Sequence, residues 1–193
     1  MKNQLRLSGG RKIQSPLGIG TRPTTSRVRE AVMNLISIKI QNCDWLDLCS
    51  GSGAMGCEAL QRGARRVLAI EKDKQTAKIC KSNLISIGND MNQKNFVEVI
   101  CHEVIGVLKK GCQKPNNKLY QDPRFDLVYL DPPYGSTIYS TVLSNLLEGN
   151  WLKSDSLVIC EHSSSIGLKA PSKWIERDRR IYGNSALLIL SPP

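Results

Sequence analysis

The 193-residue sequence has no apolar run approaching the roughly 20 residues that a membrane-spanning helix needs. Its first residues, Met1-Lys2-Asn3-Gln4-Leu5-Arg6, lack the apolar stretch of a secretion signal. Together these absences predict a cytoplasmic protein with no membrane partner. No two cysteines stand at C-x-x-C spacing, and the seven that occur (Cys43, Cys49, Cys57, Cys80, Cys101, Cys112 and Cys160) are odd in number, which argues against a zinc site. Most lie in apolar runs, where a reduced thiol behaves as a small hydrophobe, so they read as core packing in a reducing compartment. No internal repeat or low-complexity tract breaks the chain. Acidic residues are the scarce class: 17 Asp and Glu stand against 27 Lys and Arg, a net charge of +10, with a pI near 9.4. Such an excess favours a polyanionic partner, because Lys and Arg neutralise phosphates and release counterions.

What is present divides into a basic N-terminal arm, residues 1–25, and an α/β body, residues 26–193. The arm holds Gly9-Gly10-Arg11-Lys12 and Gly18-Ile19-Gly20-Thr21-Arg22-Pro23, with short apolar alternation at Leu5 and Leu7, which points to irregular or hairpin-like surface structure. From Ser26 to about Ile38 the apolar residues Val28, Val32, Leu35 and Ile36 recur at helical steps. Strands are then expected at Asp44–Leu48, Arg66–Ile70, Phe96–Ile100, Phe125–Leu130 and Leu157–Cys160, with helices between them and a closing strand pair over Trp174–Arg179 and Ser185–Leu190. This alternation predicts a mostly parallel sheet with helices on both faces, which binds ligands at the carboxyl ends of its strands. The polar stretch from Gly111 to Pro123 reads as a surface insertion.

The informative residues cluster at those strand ends. Gly51-x-Gly53-x-x-Gly56 follows an apolar strand and opens a helix, so the letter pattern of a dinucleotide-binding turn is met. Asp47 argues for a different ligand: a carboxylate repels a pyrophosphate but suits a molecule with ammonium and sulfonium centres. Glu71 lies 18 residues after Gly53 at the end of the next strand, close to the spacing of an acid that holds ribose hydroxyls. Glu103, just past the third strand, is placed to accept from an adenine amino group or simply to sit in a helix's first turn, where acids are favoured. The candidate cofactor-binding set is therefore Asp47, Cys49, Ser50, Gly51, Gly53, Glu71, the adjoining Lys72, and Glu103.

Asp131-Pro132-Pro133-Tyr134 directly follows the apolar strand Phe125–Leu130. The prolines fix backbone angles, so the Asp131 carboxylate and Pro132 carbonyl become rigid acceptors for the two hydrogens of an exocyclic amino group. Such bonds draw the nitrogen lone pair out of ring conjugation and aim it at an electrophilic methyl group. Tyr134 offers a face for base stacking. No nucleophilic side chain is required, and Asp131 or water takes the proton released after transfer. The candidate catalytic set is Asp131, Pro132, Pro133 and Tyr134.

Taken together, Thr21-Arg22-Pro23-Thr24, Arg27-Val28-Arg29-Glu30, Leu46 through Ala54, Glu58-Ala59-Leu60 with Arg62-Gly63-Ala64, Glu71 and Asp131 through Tyr134 resemble the bacterial 16S rRNA guanine-N2 methyltransferases of the RsmD type, which modify guanine 966. The D-P-P-Y motif is shared with DNA amino-methyltransferases; the R-P-T-x-x-R-V-R-E stretch is narrower. The resemblance covers nearly the whole chain. It implies a class I S-adenosylmethionine (SAM)-dependent methyltransferase fold, Rossmann-like, with a mostly parallel seven-stranded sheet and a short basic N-terminal extension. It also implies SAM as cofactor, 16S rRNA or a small-subunit assembly intermediate as partner, and a guanine unstacked into the pocket. Arg11, Lys12, Arg22, Arg27 and Arg29 are the expected RNA-binding residues, their alternative being a solvated helix face. Other readings stay open: an adenine-N6 or cytosine-N4 methyltransferase acting on DNA or another RNA, a non-catalytic RNA-binding assembly factor of the same fold, and a nicotinamide enzyme suggested by the glycine spacing alone. A monomer is expected.

Overall fold

A computed structural model describes residues 4–16, 24–91, 96–113, 122–133 and 135–193. The elements run β1 (Gln4–Arg6), β2 (Lys12–Gln14), α1 (Ser26–Leu35), β3 (Asp44–Leu48), α2 (Ala54–Gln61), β4 (Arg66–Glu71), α3 (Lys74–Asn89), β5 (Phe96–Cys101), α4 (Val104–Leu108), β6 (Phe125–Leu130), α5 (Tyr139–Glu148), β7 (Leu152–Ser163), β8 (Ile175–Tyr182) and β9 (Ser185–Ser191). β1 and β2 form an antiparallel hairpin, and the other strands make one seven-stranded sheet in the order β5-β4-β3-β6-β7-β9-β8. Strands β3 to β7 pair in parallel, and β9 inserts antiparallel between β7 and β8.

Central parallel strands are covered on both faces, and all five residues of β3 are buried. One face of the sheet carries Trp45, Leu127, Tyr129 and Ile159 against α1, α2 and α3. The other carries Leu46, Leu48, Val128, Leu130 and Cys160 against α4 and α5. Leu7 and Ile13 of the β1–β2 hairpin are buried in the first of these cores. The order in which strands are added reverses between β3 and β6, which pair directly and in parallel. That is the switch point at which a doubly wound sheet opens a crevice for ligands.

Local chemistry sets the helix starts. Thr25 caps α1 by accepting from the Val28 amide at 3.3 Å, and Asp73 caps α3 by accepting from Thr76 at 2.7 Å. α1 is shorter than the apolar spacing predicts: it stops at Leu35, and Ile38 is 95% exposed because the following turn points it to solvent. β7 is longer than expected and begins at Leu152. Alternation would put Arg177 and Arg179 on one face, but a bulge between Glu176 and Asp178 breaks it. Arg179 instead pairs with Glu176 at 2.9 Å and Arg180 with Asp178 at 2.8 Å, so these arginines are neutralised within their own strand. Of the cysteines, Cys43, Cys57, Cys80 and Cys160 are buried, Cys49 and Cys112 are half-buried, and Cys101 is exposed rather than core.

Candidate active site

The glycine turn is held by strand-end acids. Cys49, Gly51 and Gly53 all adopt left-handed backbone angles, with φ of 60°, 53° and 76°, which lets the chain leave β3 and enter α2 within a few residues. A Cβ on Gly53 would lie 2.8 Å from Cys80 Sγ, and one on Gly56 would lie 2.9 Å from Leu84 Cδ2, so both positions are reserved for close packing of α2 on α3. Gly51 differs: a Cβ there would meet nothing within 4 Å. Its amide donates to Glu71 Oε2 at 2.9 Å, and Glu71 Oε1 accepts from the Asp73 amide at 2.9 Å. Glu71 thus clamps the turn to the end of β4 and leaves the backbone at Gly51 facing open space. Ser50 Oγ lies 3.5 Å from Cys80 Sγ.

Asp47 lies under this turn. It is 2% exposed, and its Oδ2 accepts from the Gly56 amide at 3.1 Å, in the first turn of α2, where a carboxylate is favoured by the helix dipole. Burial, with a smaller contribution from Glu71, pushes its carboxyl up to about 8. Lys72 and Glu103 form an exposed ion pair at 3.8 Å on the rim. An open glycine backbone, a half-buried Glu71 beside it and a carboxyl beneath it fit a small cationic ligand with ribose hydroxyls better than a pyrophosphate.

Across the switch point, Asp131 follows β6, and its amide donates to Leu48 O at 3.4 Å, which ties the D-P-P segment to the end of β3. Asp131 is half-buried, Pro132 buried and Pro133 exposed; Tyr134 lies outside the described residues. Asp131 Oδ2 accepts from Thr24 Oγ1 at 3.1 Å. Burial and the nearby Glu161 raise its carboxyl well above the usual range, while the Thr24 hydroxyl opposes that rise. Glu161 is itself buried on β7, where its Oε2 accepts a short hydrogen bond from Tyr129 and its backbone carbonyl accepts from Tyr139 at 2.8 Å. Glu161, Tyr129 and Tyr139 were not expected at the site; only the strand-end position of Glu161 hinted at it. His162 is buried, with Nδ1 on the Ser163 carbonyl at 2.8 Å.

The residues expected to contact RNA divide. Lys12 and Arg27 are exposed, Arg11 pairs with Asp90, and Arg22 lies outside the described residues. Arg29 corrects the expectation of an RNA-facing group, because it is 2% exposed. Its Nε pairs with Glu58 Oε1 at 3.3 Å, Nη1 donates to Thr24 O at 2.6 Å, and Nη2 donates to Arg6 O at 2.7 Å. Nothing in a basic stretch of sequence distinguishes an inward arginine from an outward one; its partner Glu58 lies 29 residues away.

A seven-stranded sheet of this order, with a glycine turn after β3 and an acid after β6 on either side of the switch point, defines the class I SAM-dependent methyltransferase fold. Solved structures agree: the Escherichia coli yhhF protein superposes with a TM-score of 0.79 at 27% identity over 98% of each chain. SMU.776, solved with SAH, gives 0.69 at 14% identity over 97% of this chain and 56% of its own, a likeness of fold. The chain belongs to the RsmD-type family, whose profile, described as Conserved hypothetical protein 95, matches residues 7–191. It is 36% identical to ribosomal RNA small subunit methyltransferase D of Haemophilus influenzae, over 86% of this chain and 80% of that protein. To the protein of the same name from Escherichia coli K12 it is 30% identical, over 95% and 87%.

Proposed function

We propose that the protein transfers a methyl group from SAM to the exocyclic N2 amino group of a guanine in 16S rRNA. The observation that carries this is the placement of Asp131. Its carboxyl stands at the end of β6, beside the glycine turn that follows the adjoining strand β3, on a segment stiffened by Pro132 and Pro133. The relatives named for small-subunit rRNA methylation support RNA as the substrate class, as does the net charge of +10.

SAM supplies an electrophilic methyl group on a sulfonium when bound. Glu71 and the Gly51 backbone would hold its ribose end, Asp47 would answer its positive charge, and Cys49, Ser50, Gly53, Lys72 and Glu103 would complete the surround. Asp131 and the Pro132 carbonyl accept the two amino hydrogens of the target base, which localises the nitrogen lone pair and orients it for attack. As the methyl is transferred, positive charge grows on that nitrogen, and the carboxylate stabilises it. A carboxyl held above its usual range by burial and Glu161 is a stronger base than a surface carboxylate, which suits it to take the proton released afterwards. Tyr134 stacks on the base, and Lys12, Arg22 and Arg27 contact phosphates, with Arg11 available on release from Asp90.

Incubation with tritiated SAM and small-subunit particles lacking the modification, followed by digestion of the RNA to nucleosides, tests the assignment. Labelled N2-methylguanosine is expected. Labelled adenosine or cytidine, or preferential label on duplex DNA, keeps the chemistry and overturns the substrate; SAM binding with no label on any nucleic acid overturns the enzyme in favour of an RNA-binding assembly factor.

A further inference from the structure

Thr24 sits where the arm meets the site, and the structure fixes it from two directions. Its backbone carbonyl accepts from Arg29 Nη1 at 2.6 Å, and the next residue, Thr25, is the α1 cap, with its carbonyl accepting from the Arg29 amide at 3.0 Å. Arg29 is in turn locked by the buried carboxylate of Glu58. From this anchored position the Thr24 hydroxyl reaches 107 residues along the sequence to Asp131 Oδ2, at 3.1 Å. A hydroxyl that donates to one carboxylate oxygen restricts rotation of the group; among the described residues, the side-chain donor to Asp131 is Thr24, on Oδ2.

We propose that Thr24 is a positioning residue for the reaction: held by the Arg29–Glu58 ion pair, it orients the Asp131 carboxylate so that Oδ1 meets the amino group, an assignment that rests on the methyl transfer proposed above. The arm is then part of the catalytic machinery and not only an RNA grip. The other groups facing Asp131 are Glu161 on β7, Asp47 on β3, Cys49 beyond β3, Tyr129 on its own strand and Tyr139 on α5. The two acids oppose its ionisation, and the Thr24 hydrogen bond favours it.

Thr24→Val keeps the shape and removes the donor; Thr24→Ser keeps the donor. Two readouts are needed: the Asp131 carboxyl titration by 13C NMR on the ligand-free protein, and single-turnover methyl transfer to unmodified small-subunit particles across pH. In Thr24→Val the Asp131 titration moves up by about one pH unit, and the rate at neutral pH falls about 10- to 100-fold, as expected for losing a hydrogen bond to a charged group. Its rising pH limb moves up with the titration, while SAM affinity and Tm hold. Thr24→Ser restores both. A Thr24→Val protein with the wild-type titration and rate, or a Thr24→Ser protein as impaired as Thr24→Val, overturns the positioning role while the reaction stands. A wild-type protein that transfers no methyl group to RNA overturns the reaction and this inference with it.

Discussion

Replacing Glu58 by Gln tests whether Arg29 of α1 is locked into the core by a buried ion pair with α2. Glu58 is fully buried and accepts four hydrogen bonds: from the Ser8 amide at 2.8 Å, Ser8 Oγ at 2.9 Å, Arg29 Nε at 3.3 Å and Arg62 Nη1 at 2.8 Å. Arg62 is partly exposed and contributes little, since water replaces its partner. Arg29 has no such recourse: its side chain is 3% exposed, and its other partners among the described residues, Thr24 O and Arg6 O, are neutral. The glutamine amide keeps the volume and one acceptor but leaves the guanidinium buried without its counter-charge. Breaking a buried pair from one side costs about 3–5 kcal/mol. At about 2–4 °C per kcal/mol for a chain of this size, Tm should fall by about 6–20 °C. Urea unfolding followed by circular dichroism measures the loss directly, and Arg29→Met combined with Glu58→Gln should recover part of it. A loss below about 1 kcal/mol, together with weakened rRNA binding in Arg29→Met, would show that Arg29 faces the RNA after all and refute its assignment to the core.

Three further outcomes follow from the same geometry. Asp47 has a folded-state carboxyl at about 8 against an ordinary value of 3.8, so its contribution to stability is complete below about pH 4 and is lost as pH rises toward 8; Asp47→Asn should therefore gain about 2–5 kcal/mol on wild type between pH 5 and pH 8, and parallel urea titrations that keep a constant gap would contradict it. Both glycines are left-handed, a cost of roughly 1–2 kcal/mol for alanine at either; Gly53→Ala also drives a methyl into Cys80, for a total of about 2–5 kcal/mol, whereas Gly51→Ala adds no clash but fills the open space of the turn and should weaken SAM binding at least 10-fold by calorimetry; equal effects of the two on binding would sink the distinction. Lys12→Gln and Arg27→Gln should each lower the log–log salt slope of rRNA binding by about 1, and an unchanged slope would remove both from the interface.

Central strands β3, β4 and β6 were legible because parallel strands buried on both faces read as short apolar runs, and the glycine turn, Glu71 and the D-P-P segment stand out because each interrupts such a run at its carboxyl end. Side-chain direction was less legible. Asp47 shares a strand with Trp45 and Leu46, and only the path of α2 over it shows that its carboxyl caps the helix. Arg29 belongs to a basic stretch whose composition suggests solvent and phosphate; burial follows from Glu58 on a helix that sequence spacing cannot dock against α1. The Thr24–Asp131 contact spans the two ends of the site and has no local signature. The β8 bulge shifts pairing by one residue, a change that strict alternation cannot anticipate.

Asp131→Asn gives the most direct test of the central claim, that this carboxylate positions the target amino group. Asparagine retains shape and one acceptor, but its amide NH2 opposes the substrate's own hydrogens, and its charge is gone when positive charge develops on the nitrogen. Single-turnover methyl transfer from SAM to unmodified small-subunit particles should fall about 100- to 1,000-fold, the scale of losing one preorganised transition-state contact, while equilibrium binding of SAM and of rRNA stays within a few-fold of wild type. A rate close to wild type, or a loss accounted for by weakened SAM binding, would contradict the role assigned to Asp131.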